Sequence, residues 1–327
     1  MLYIYNNSTD PYFNLAAEEY VLKNFTEDCF ILWRNSTAVI IGKNQNALAE
    51  INLDYVKENN IHVVRRLSGG GAVFHDLGNV NFTFITNDTD DFVNFSKFTS
   101  PIIGVLNDKL DIKAELSGRN DLTINDQKFS GNAQYNYKNR VLHHGTLLFA
   151  SSITNISDSL KVKPSKFEGK GVKSVKSRVT NISSHLKSPI TIEDFISLTM
   201  DYVKNNNSSE GKIYEFTKED ISSIIKLRDE KYSTWEWNFG TSPKYNFINE
   251  KRFKGGTVEL HFNVEKGIIK NCKIYGDFFS KKDVKDVEDA LIGVKHNYDS
   301  IHESLKTLDI GKYFSNITIE DIMEIAL

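Results

Sequence analysis

Residues 65–76 read RRLSGGGAVFHD, a stretch that places three successive glycines between a pair of arginines and a short apolar run. Glycine has no Cβ, so the backbone of Gly69, Gly70 and Gly71 can adopt positive φ and approach a ligand closely. The guanidinium fork of Arg66 can bind a carboxylate or a phosphate. The stretch contains neither the GK[ST] of a Walker A loop nor a GxGxxG fingerprint. By itself it predicts either an anion- or nucleotide-binding loop or a glycine-rich surface turn.

Strand-like runs lie on both sides of these glycines. Apolar runs predict strands over residues 30–34, 38–42 and 61–66. Residues 80–84 alternate between apolar and polar types, which predicts a half-buried strand. A 3.6-residue spacing of apolar residues predicts a helix over residues 14–24. Such runs of strands with segregated helices favour an α+β fold over a doubly wound parallel sheet.

Turn and cap signals extend this pattern along the chain. The polar pair Asn125-Asp126 lies between two apolar runs and predicts a hairpin whose second strand opens at Lys128. Thr191 and Thr217 each have an aspartate three residues further on, which predicts the start of a helix.

The last part of the chain has a pattern of its own. Residues 257–264 alternate strictly and residues 268–275 return after a turn, so a hairpin is predicted, with helices following. Polar residues and a proline cluster at residues 242–250, which marks a domain boundary. We therefore expect a large N-terminal domain over residues 1–246 and a small α+β accessory domain over residues 247–327.

The composition excludes several functional classes. The chain has 327 residues, of which 40% are hydrophobic, and a formal charge of -3, so it is not a general nucleic-acid or membrane-surface binder. No apolar window approaches the length of a membrane span, and the N-terminus lacks a signal-peptide pattern. The two cysteines, Cys29 and Cys272, form no CxxC or metal-binding spacing, which fits a reducing compartment. We expect a cytoplasmic protein.

Three further segments carry side chains suited to chemistry. Lys128 follows Asp121 by seven positions, and a fixed ammonium there could lower the repulsion between a carboxylate and ATP. The alternative is an ordinary solvated lysine. His143 and His144 are adjacent in a strand and point to opposite faces, so they cannot chelate one metal ion. Residues 170–181 carry four cations among small residues, which indicates either a loop that folds over polyphosphate or a solvated charge run.

Six motifs follow one another along the chain. They are RRxSGGGAVFHDLGN (65–79), SGRNDL (117–122), KxSGxA (128–133), HHGTLL (143–148), SVxSRVTN (174–181) and WEWNFG (235–240). In this order they resemble the bacterial lipoate–protein ligase A family of the biotin/lipoate protein ligase superfamily. The likeness covers most of the chain, and beyond residue 279 it becomes loose. Each motif is weak alone, whereas six at compatible spacing are highly specific.

The resemblance implies a catalytic domain of the biotin/lipoate-ligase type, with mixed or antiparallel sheets and flanking helices. It implies that Lys128 is the essential lysine, which contacts the lipoate carboxylate and the adenylate phosphate. The positions implied to bind lipoate or its adenylate are Arg66, Ser68, Gly69, Gly70, Gly71, Ala72, Val73, His75, Asn120, Asp121, Ser130 and His144. The segment implied to close over the adenylate contains Ser174, Val175, Ser177, Arg178, Val179 and Thr180.

The activity implied is that of an ATP-dependent ligase. Lipoate would react with ATP to give lipoyl-AMP and pyrophosphate, and a lysine of a carrier protein would then take the lipoyl group and release AMP. The expected ligands are ATP, (R)-lipoate and Mg²⁺, which the ATP phosphates would hold, with Asp121 as a candidate protein ligand. The expected partners are lipoyl carrier domains: E2 subunits of 2-oxoacid dehydrogenases and the glycine cleavage H protein. We expect a monomer that binds neither nucleic acid nor membrane.

The sequence leaves two other functions open. A thiol-dependent octanoyl or lipoyl transferase of the same fold would need Cys29 or Cys272 in its pocket. A non-catalytic lipoate-binding protein would have no need of Lys128.

Overall fold

The computed structural model describes residues 1–43, 45, 47–87, 94–118, 120–160, 179–207, 211–241, 245–276, 278, 280 and 282–327. This part of the chain divides into two compact units. The larger unit contains Met1–Gln45 with Ala49–Thr234, and the smaller unit contains Asn46–Leu48 with Trp235–Leu327. Among the described helices, none has the length and apolar content that a membrane crossing requires.

The elements before residue 235 supply both sheets of the larger unit. The strands are β1 (Leu2–Asn6), β2 (Cys29–Trp33), β3 (Ala38–Ile41), β4 (His62–Arg65), β5 (Val73–His75), β6 (Asn79–Thr86), β7 (Ala114–Ser117), β8 (Asp121–Ile124), β9 (Gln127–Tyr137), β10 (Arg140–Leu148) and β11 (Lys212–Ile213). The helices are α1 (Pro11–Asn24), α2 (Ala47–Glu50), α3 (Leu53–Glu58), α4 (Phe95–Gly104), α5 (Ile153–Ser159), α6 (Ile192–Asn205) and α7 (Lys218–Leu227).

The larger sheet has the strand order β11-β1-β2-β6-β10-β9-β8-β7. Strands β11, β1 and β2 run parallel, and the other neighbours pair antiparallel. The second sheet has the order β4-β3-β5, in which β3 is parallel to β4 and antiparallel to β5. Mixed sheets with flanking helices confirm the α+β class predicted from the sequence.

Strand β6 differs from the half-buried strand that its alternation predicted. Phe82 and Phe84 are buried, but so are the intervening Asn81 and Thr83. The apolar face belongs to the main core of the unit, whereas Thr83 Oγ1 donates to the buried Glu18 of α1 at 2.6 Å. Because its polar face is covered in this way, β6 is buried on both faces, which alternation alone cannot reveal.

Local signals were more reliable. The β8–β9 turn has positive φ at Asn125 (49°) and Asp126 (63°), as a two-residue type I′ hairpin requires. Thr191 and Thr217 each form the complete capping box with the aspartate three residues further on. The hairpin and both helix starts predicted from sequence are confirmed.

The smaller unit is an antiparallel sheet with helices. Its elements are β12 (Tyr245–Phe253), β13 (Gly256–Glu265), β14 (Ile268–Gly276), α8 (Lys285–Leu291), α9 (Tyr298–Lys306) and α10 (Ile319–Ala326). The alternation that predicted β13 is confirmed, because every second residue from Val258 to Val264 is buried. The sequence missed β12, which is polar and lies across the predicted boundary at residue 246. The compact units separate at Thr234, and residue 246 as a functional boundary stays a prediction.

Candidate active site

A cavity of about 160 Å³ opens in the larger unit. Its wall is formed by Leu15, Trp33, Ile40, Arg66, Gly70, Gly71, Ala72, Val73, His75, Asn81, Asn120, Lys128, Gly131, Asn132, Ala133, His144, Gly145 and Thr146. These residues come from α1, both sheets of the unit, the connection between β7 and β8, and the loop of residues 66–72, which we call the glycine loop.

The cavity runs across the larger sheet. Asn81 on β6 pairs with Trp33 on one side and with Thr146 on the other. Thr146 Oγ1 in turn accepts a hydrogen bond from Gly131 N on β9 at 3.2 Å. The Nζ of Lys128 lies 3.0 Å from where a Cβ on Gly131 would be. Trp33 and Lys128 therefore mark opposite ends of the cavity. Their strands, β2 and β9, are separated by β6 and β10, and neighbouring strands lie about 4.8 Å apart.

Arg66 holds the glycine loop together. Its Nε donates to Ser68 Oγ at 3.0 Å, and its Nη1 donates to Ile40 O at 3.1 Å. Its Nη2 donates to the carbonyls of Gly69 at 2.7 Å and Gly71 at 2.8 Å. Burial lowers the pKa of this guanidinium to about 10. The sequence predicted a ligand-binding arginine, and the structure shows donors of Arg66 engaged by the glycine loop and by Ile40 of β3.

A buried hydrogen-bond chain ties the glycine loop to α1. Ser68 Oγ lies 2.6 Å from His144 Nε2, and His144 Nδ1 lies 3.0 Å from Glu18 Oε1. The same Glu18 oxygen accepts from Thr83 Oγ1 at 2.6 Å. Its negative charge also raises the pKa of the buried Arg66, in opposition to the larger effect of burial. Glu18 therefore offsets the positive charge of Arg66 and joins α1 to Thr83 of β6 and His144 of β10.

We expect Glu18→Ala to destabilise the larger unit. The change leaves His144 Nδ1 and Thr83 Oγ1 buried without their acceptor, and each such group costs about 1–3 kcal/mol. Urea unfolding followed by circular dichroism would measure the loss. Glu193→Ala is the matched control, because Glu193 is 66% exposed in its ion pair with Arg34 and should cost less than about 1 kcal/mol. Equal losses in the two variants would contradict the role given to Glu18.

Lys128 stands at the other end of the cavity, paired with Asp121. Its Nζ lies 2.8 Å from Asp121 Oδ1, and both side chains are about two-fifths exposed, at 40% and 39%. Thr180 N donates to the Lys128 carbonyl at 2.9 Å, and Val179 forms an isolated parallel β-bridge with Lys128. The end of the predicted adenylate segment therefore lies beside the lysine. The remaining predicted residues of that segment lie outside the described residues: Ser174, Val175, Ser177 and Arg178.

The cavity brings together most of the positions predicted from sequence. Those on its wall are Arg66, Gly70, Gly71, Ala72, Val73, His75, Asn120, Lys128 and His144. The others contact wall residues. Ser68 and Gly69 accept hydrogen bonds from Arg66, and Asp121 forms an ion pair with Lys128. Ser130 Oγ accepts from Asn132 Nδ2 at 3.2 Å. Their direct contact with a ligand stays a prediction.

Several residues in or beside the cavity wall were not singled out from the sequence. Trp33, Ile40 and Asn81 line the cavity but lie in strand runs that carry no catalytic pattern. Glu18 did leave a signal, since it is an acidic residue close to the apolar stripe of α1 between Leu15 and Leu22. A carboxylate buried in such a stripe needs a polar partner, so its presence indicates a buried polar cluster.

Comparison with known proteins then decides the family. A model of the lipoyl protein ligase A/B catalytic domain matches residues 10–204, and a model of the bacterial lipoate protein ligase C-terminus matches residues 242–325. The chain belongs to the lipoate–protein ligase family of enzymes. The resemblance drawn from the six motifs is thereby confirmed.

Relatives in this family match over nearly the whole chain. Lipoate-protein ligase LplJ of Bacillus subtilis is 46% identical and covers 99% of each chain. Lipoate–protein ligase 1 of Staphylococcus aureus is also 46% identical and covers 98% of each.

Solved structures of ligases show the same fold. LipL1 of P. falciparum in complex with lipoate is 30% identical, covers 99% of this chain and 97% of its own, and has a TM-score of 0.62. A lipoate-protein ligase A bound with ATP is 27% identical over 73% and 98% of the two chains, with a TM-score of 0.64. The bipartite ligase of Thermoplasma acidophilum, analysed with its E2 lipoyl domain, is 29% identical over 74% and 97%, with a TM-score of 0.66.

Proposed function

We propose that this family member uses ATP to activate lipoate as lipoyl-adenylate and then transfers the lipoyl group to a lysine of a lipoyl carrier domain. The observation that carries the proposal is a cavity of about 160 Å³ with the apolar side chain of Trp33 at one end and the ammonium of Lys128 at the other. Ligases of the same fold have been solved with lipoate and with ATP, and one has been analysed with its E2 lipoyl domain.

The first step brings two anions together. A lipoate carboxylate oxygen would form a bond to the α-phosphorus of ATP, and pyrophosphate would leave with the electron pair of the broken P–O bond. The Lys128 ammonium would lower the repulsion between the two anions and stabilise the charge that develops. Asp121 positions the ammonium through its 2.8 Å contact. Positioning and charge neutralisation are the contributions required of the protein.

The second step needs no nucleophile from the enzyme. The amine of a carrier lysine would attack the carbonyl carbon of the adenylate, AMP would leave with the bonding pair, and the nitrogen would release a proton to solvent. The carriers proposed are E2 lipoyl domains and the glycine cleavage H protein.

Magnesium would neutralise the ATP phosphates during the first step. The described residues contain no group of three or more His, Cys, Asp or Glu side chains able to hold a metal ion. Asp121, beside Lys128, is the carboxylate at this end of the described cavity. This fits a Mg²⁺ ion held mainly by phosphate oxygens.

Two assays would test the proposal separately. Exchange of labelled pyrophosphate into ATP should require lipoate, because only lipoyl-adenylate formation is reversible in this way. Addition of ATP and lipoate should then shift a purified apo lipoyl domain on a native gel. Lipoate binding without any exchange would overturn the adenylation step and favour a non-catalytic lipoate-binding protein.

The thiol-transferase alternative gains no support from the described part of the chain. Cys29 and Cys272 are 0% and 1% exposed, and neither is among the residues of the cavity wall. Burial raises the pKa of each thiol to about 12, so neither is a thiolate near neutral pH.

We therefore expect the Cys29→Ser, Cys272→Ser double variant to keep transfer activity within a few-fold of the wild type. Serine preserves the size of each side chain while it removes the thiol. Transfer of lipoate to an apo lipoyl domain is the measurement, with circular dichroism to verify folding. Complete loss of transfer in a folded double variant would revive the thiol mechanism.

A further inference from the structure

The cavity end remote from Lys128 combines an apolar wall with two buried polar side chains. Leu15, Trp33 and Ile40 supply the apolar wall. His75, whose ring centroid lies 6.1 Å from that of Trp33, and Asn81, the strand partner of Trp33, lie at the same end and are only 3% and 1% exposed. Buried polar groups normally have hydrogen-bond partners.

His75 presents an N–H donor for which the described part of the chain supplies no acceptor. Asn35 Oδ1 accepts from Asn14 Nδ2 at 2.8 Å, so Asn35 Nδ2 is the atom that donates to His75 Nδ1 at 3.0 Å. Burial, with smaller effects of Arg66 and His144, lowers the pKa of His75 to about 3. The ring is therefore neutral with its hydrogen on Nε2. No described residue accepts a hydrogen bond from that nitrogen.

Asn81 presents a second unpaired donor. Asn79 Nδ2 donates to Asn81 Oδ1 at 2.9 Å, which leaves Asn81 Nδ2 directed elsewhere. Within the described ranges this nitrogen also lacks an acceptor. A buried donor without a partner is destabilising, so two of them on one cavity wall indicate a ligand that carries a matching acceptor.

The distance from Lys128 indicates which ligand atoms reach these donors. Asn81 on β6 lies two strands from Gly131 on β9, and Lys128 Nζ lies over Gly131. Two strand spacings amount to about 10 Å. An extended eight-carbon acid whose carboxylate contacts Lys128 would place its last carbons at this end. In lipoate the sixth and eighth carbons carry the sulfurs of the dithiolane ring.

We propose that His75 and Asn81 determine acid specificity by donating their free N–H groups to dithiolane sulfur. Sulfur is a weak acceptor, and an alkyl chain of the same length offers none, so it would leave both donors unpaired. The cavity thereby favours a sulfur-bearing ring over an alkyl or cycloalkyl end. The inference rests on the proposed function, because that function places the carboxylate at Lys128.

The test compares three acids in the wild type and in Asn81→Leu. The acids are lipoate, octanoate and 5-cyclopentylpentanoate, whose carbon ring replaces the dithiolane. Leucine keeps the approximate shape of asparagine and removes the donor. Calorimetry should show lipoate affinity falling by about 2- to 10-fold, the effect of one hydrogen bond. The affinities for octanoate and for the cyclopentyl acid should stay unchanged or rise.

Ile40→Val is the matched control, because it alters the apolar wall and removes no donor. It should shift all three affinities in the same direction. Should Asn81→Leu lose its circular dichroism signal, His75→Phe gives the same comparison at the other donor. An unchanged ratio of lipoate to cyclopentyl-acid affinity in a folded variant would overturn the inference. Because binding is measured without ATP, a failure of adenylation would show separately, as absent pyrophosphate exchange in the wild type.

Discussion

Replacing Lys128 by alanine should lower the rate of lipoate-dependent pyrophosphate exchange by at least about 10²-fold, the typical effect of removing one preorganised donor. Lys128 is the cation at the cavity end where the two anions are proposed to meet, and Asp121 fixes its position at 2.8 Å. Its side chain is 40% exposed, so its loss should leave the fold intact. The backbone contacts of Lys128 to Val179 and Thr180 do not depend on the side chain.

Lys226→Ala is the control for this prediction. Lys226 is 73% exposed on a helix surface, where it forms a weak ion pair with Glu230. Its replacement by alanine therefore removes the same charge at a position away from the cavity. Its exchange rate should equal that of the wild type. Near-wild-type exchange by Lys128→Ala, with an unchanged circular dichroism spectrum, would rule out the proposed role of the lysine.

Gly70→Val should abolish detectable lipoate binding. Gly70 has a φ of +93°, a conformation that a β-branched residue adopts only with strain. A Cβ at this position would also lie 3.0 Å from Arg66 Nη2. That nitrogen holds the carbonyls of Gly69 and Gly71, so a valine would displace the group that shapes the glycine loop. Calorimetry with lipoate is the direct measurement.

Gly293→Val separates strain from site geometry. Gly293 has a comparable φ of +85°, and a Cβ there would meet nothing within 4 Å. It lies in the smaller unit, so this variant should lose stability to backbone strain while it keeps its lipoate affinity. If Gly70→Val bound lipoate as tightly as Gly293→Val, the glycine loop would not form the binding wall.

Local sequence rules predicted the elements whose causes are local. The capping boxes at Thr191 and Thr217 and the turn at Asn125-Asp126 depend on contacts between residues two or three positions apart. Such contacts form whatever the rest of the chain does, so the pattern is sufficient to predict them. Strand β12 and the full burial of β6 depend on what packs against them, and alternation alone did not predict either.

The sequence by itself determined the family, since six short motifs in order suffice for a match that the comparisons confirm. The tertiary structure alone decided which residues meet. Glu18 lies within hydrogen-bond distance of His144, which is 126 positions further along the chain. Trp33, Asn81, Thr146 and Gly131 lie side by side on four different strands. It also showed that Arg66 donates to carbonyls of its own loop and of β3, while Asn81 Nδ2 has no acceptor among the described residues. Whether a buried polar atom is satisfied depends on distant neighbours that only the folded chain brings together.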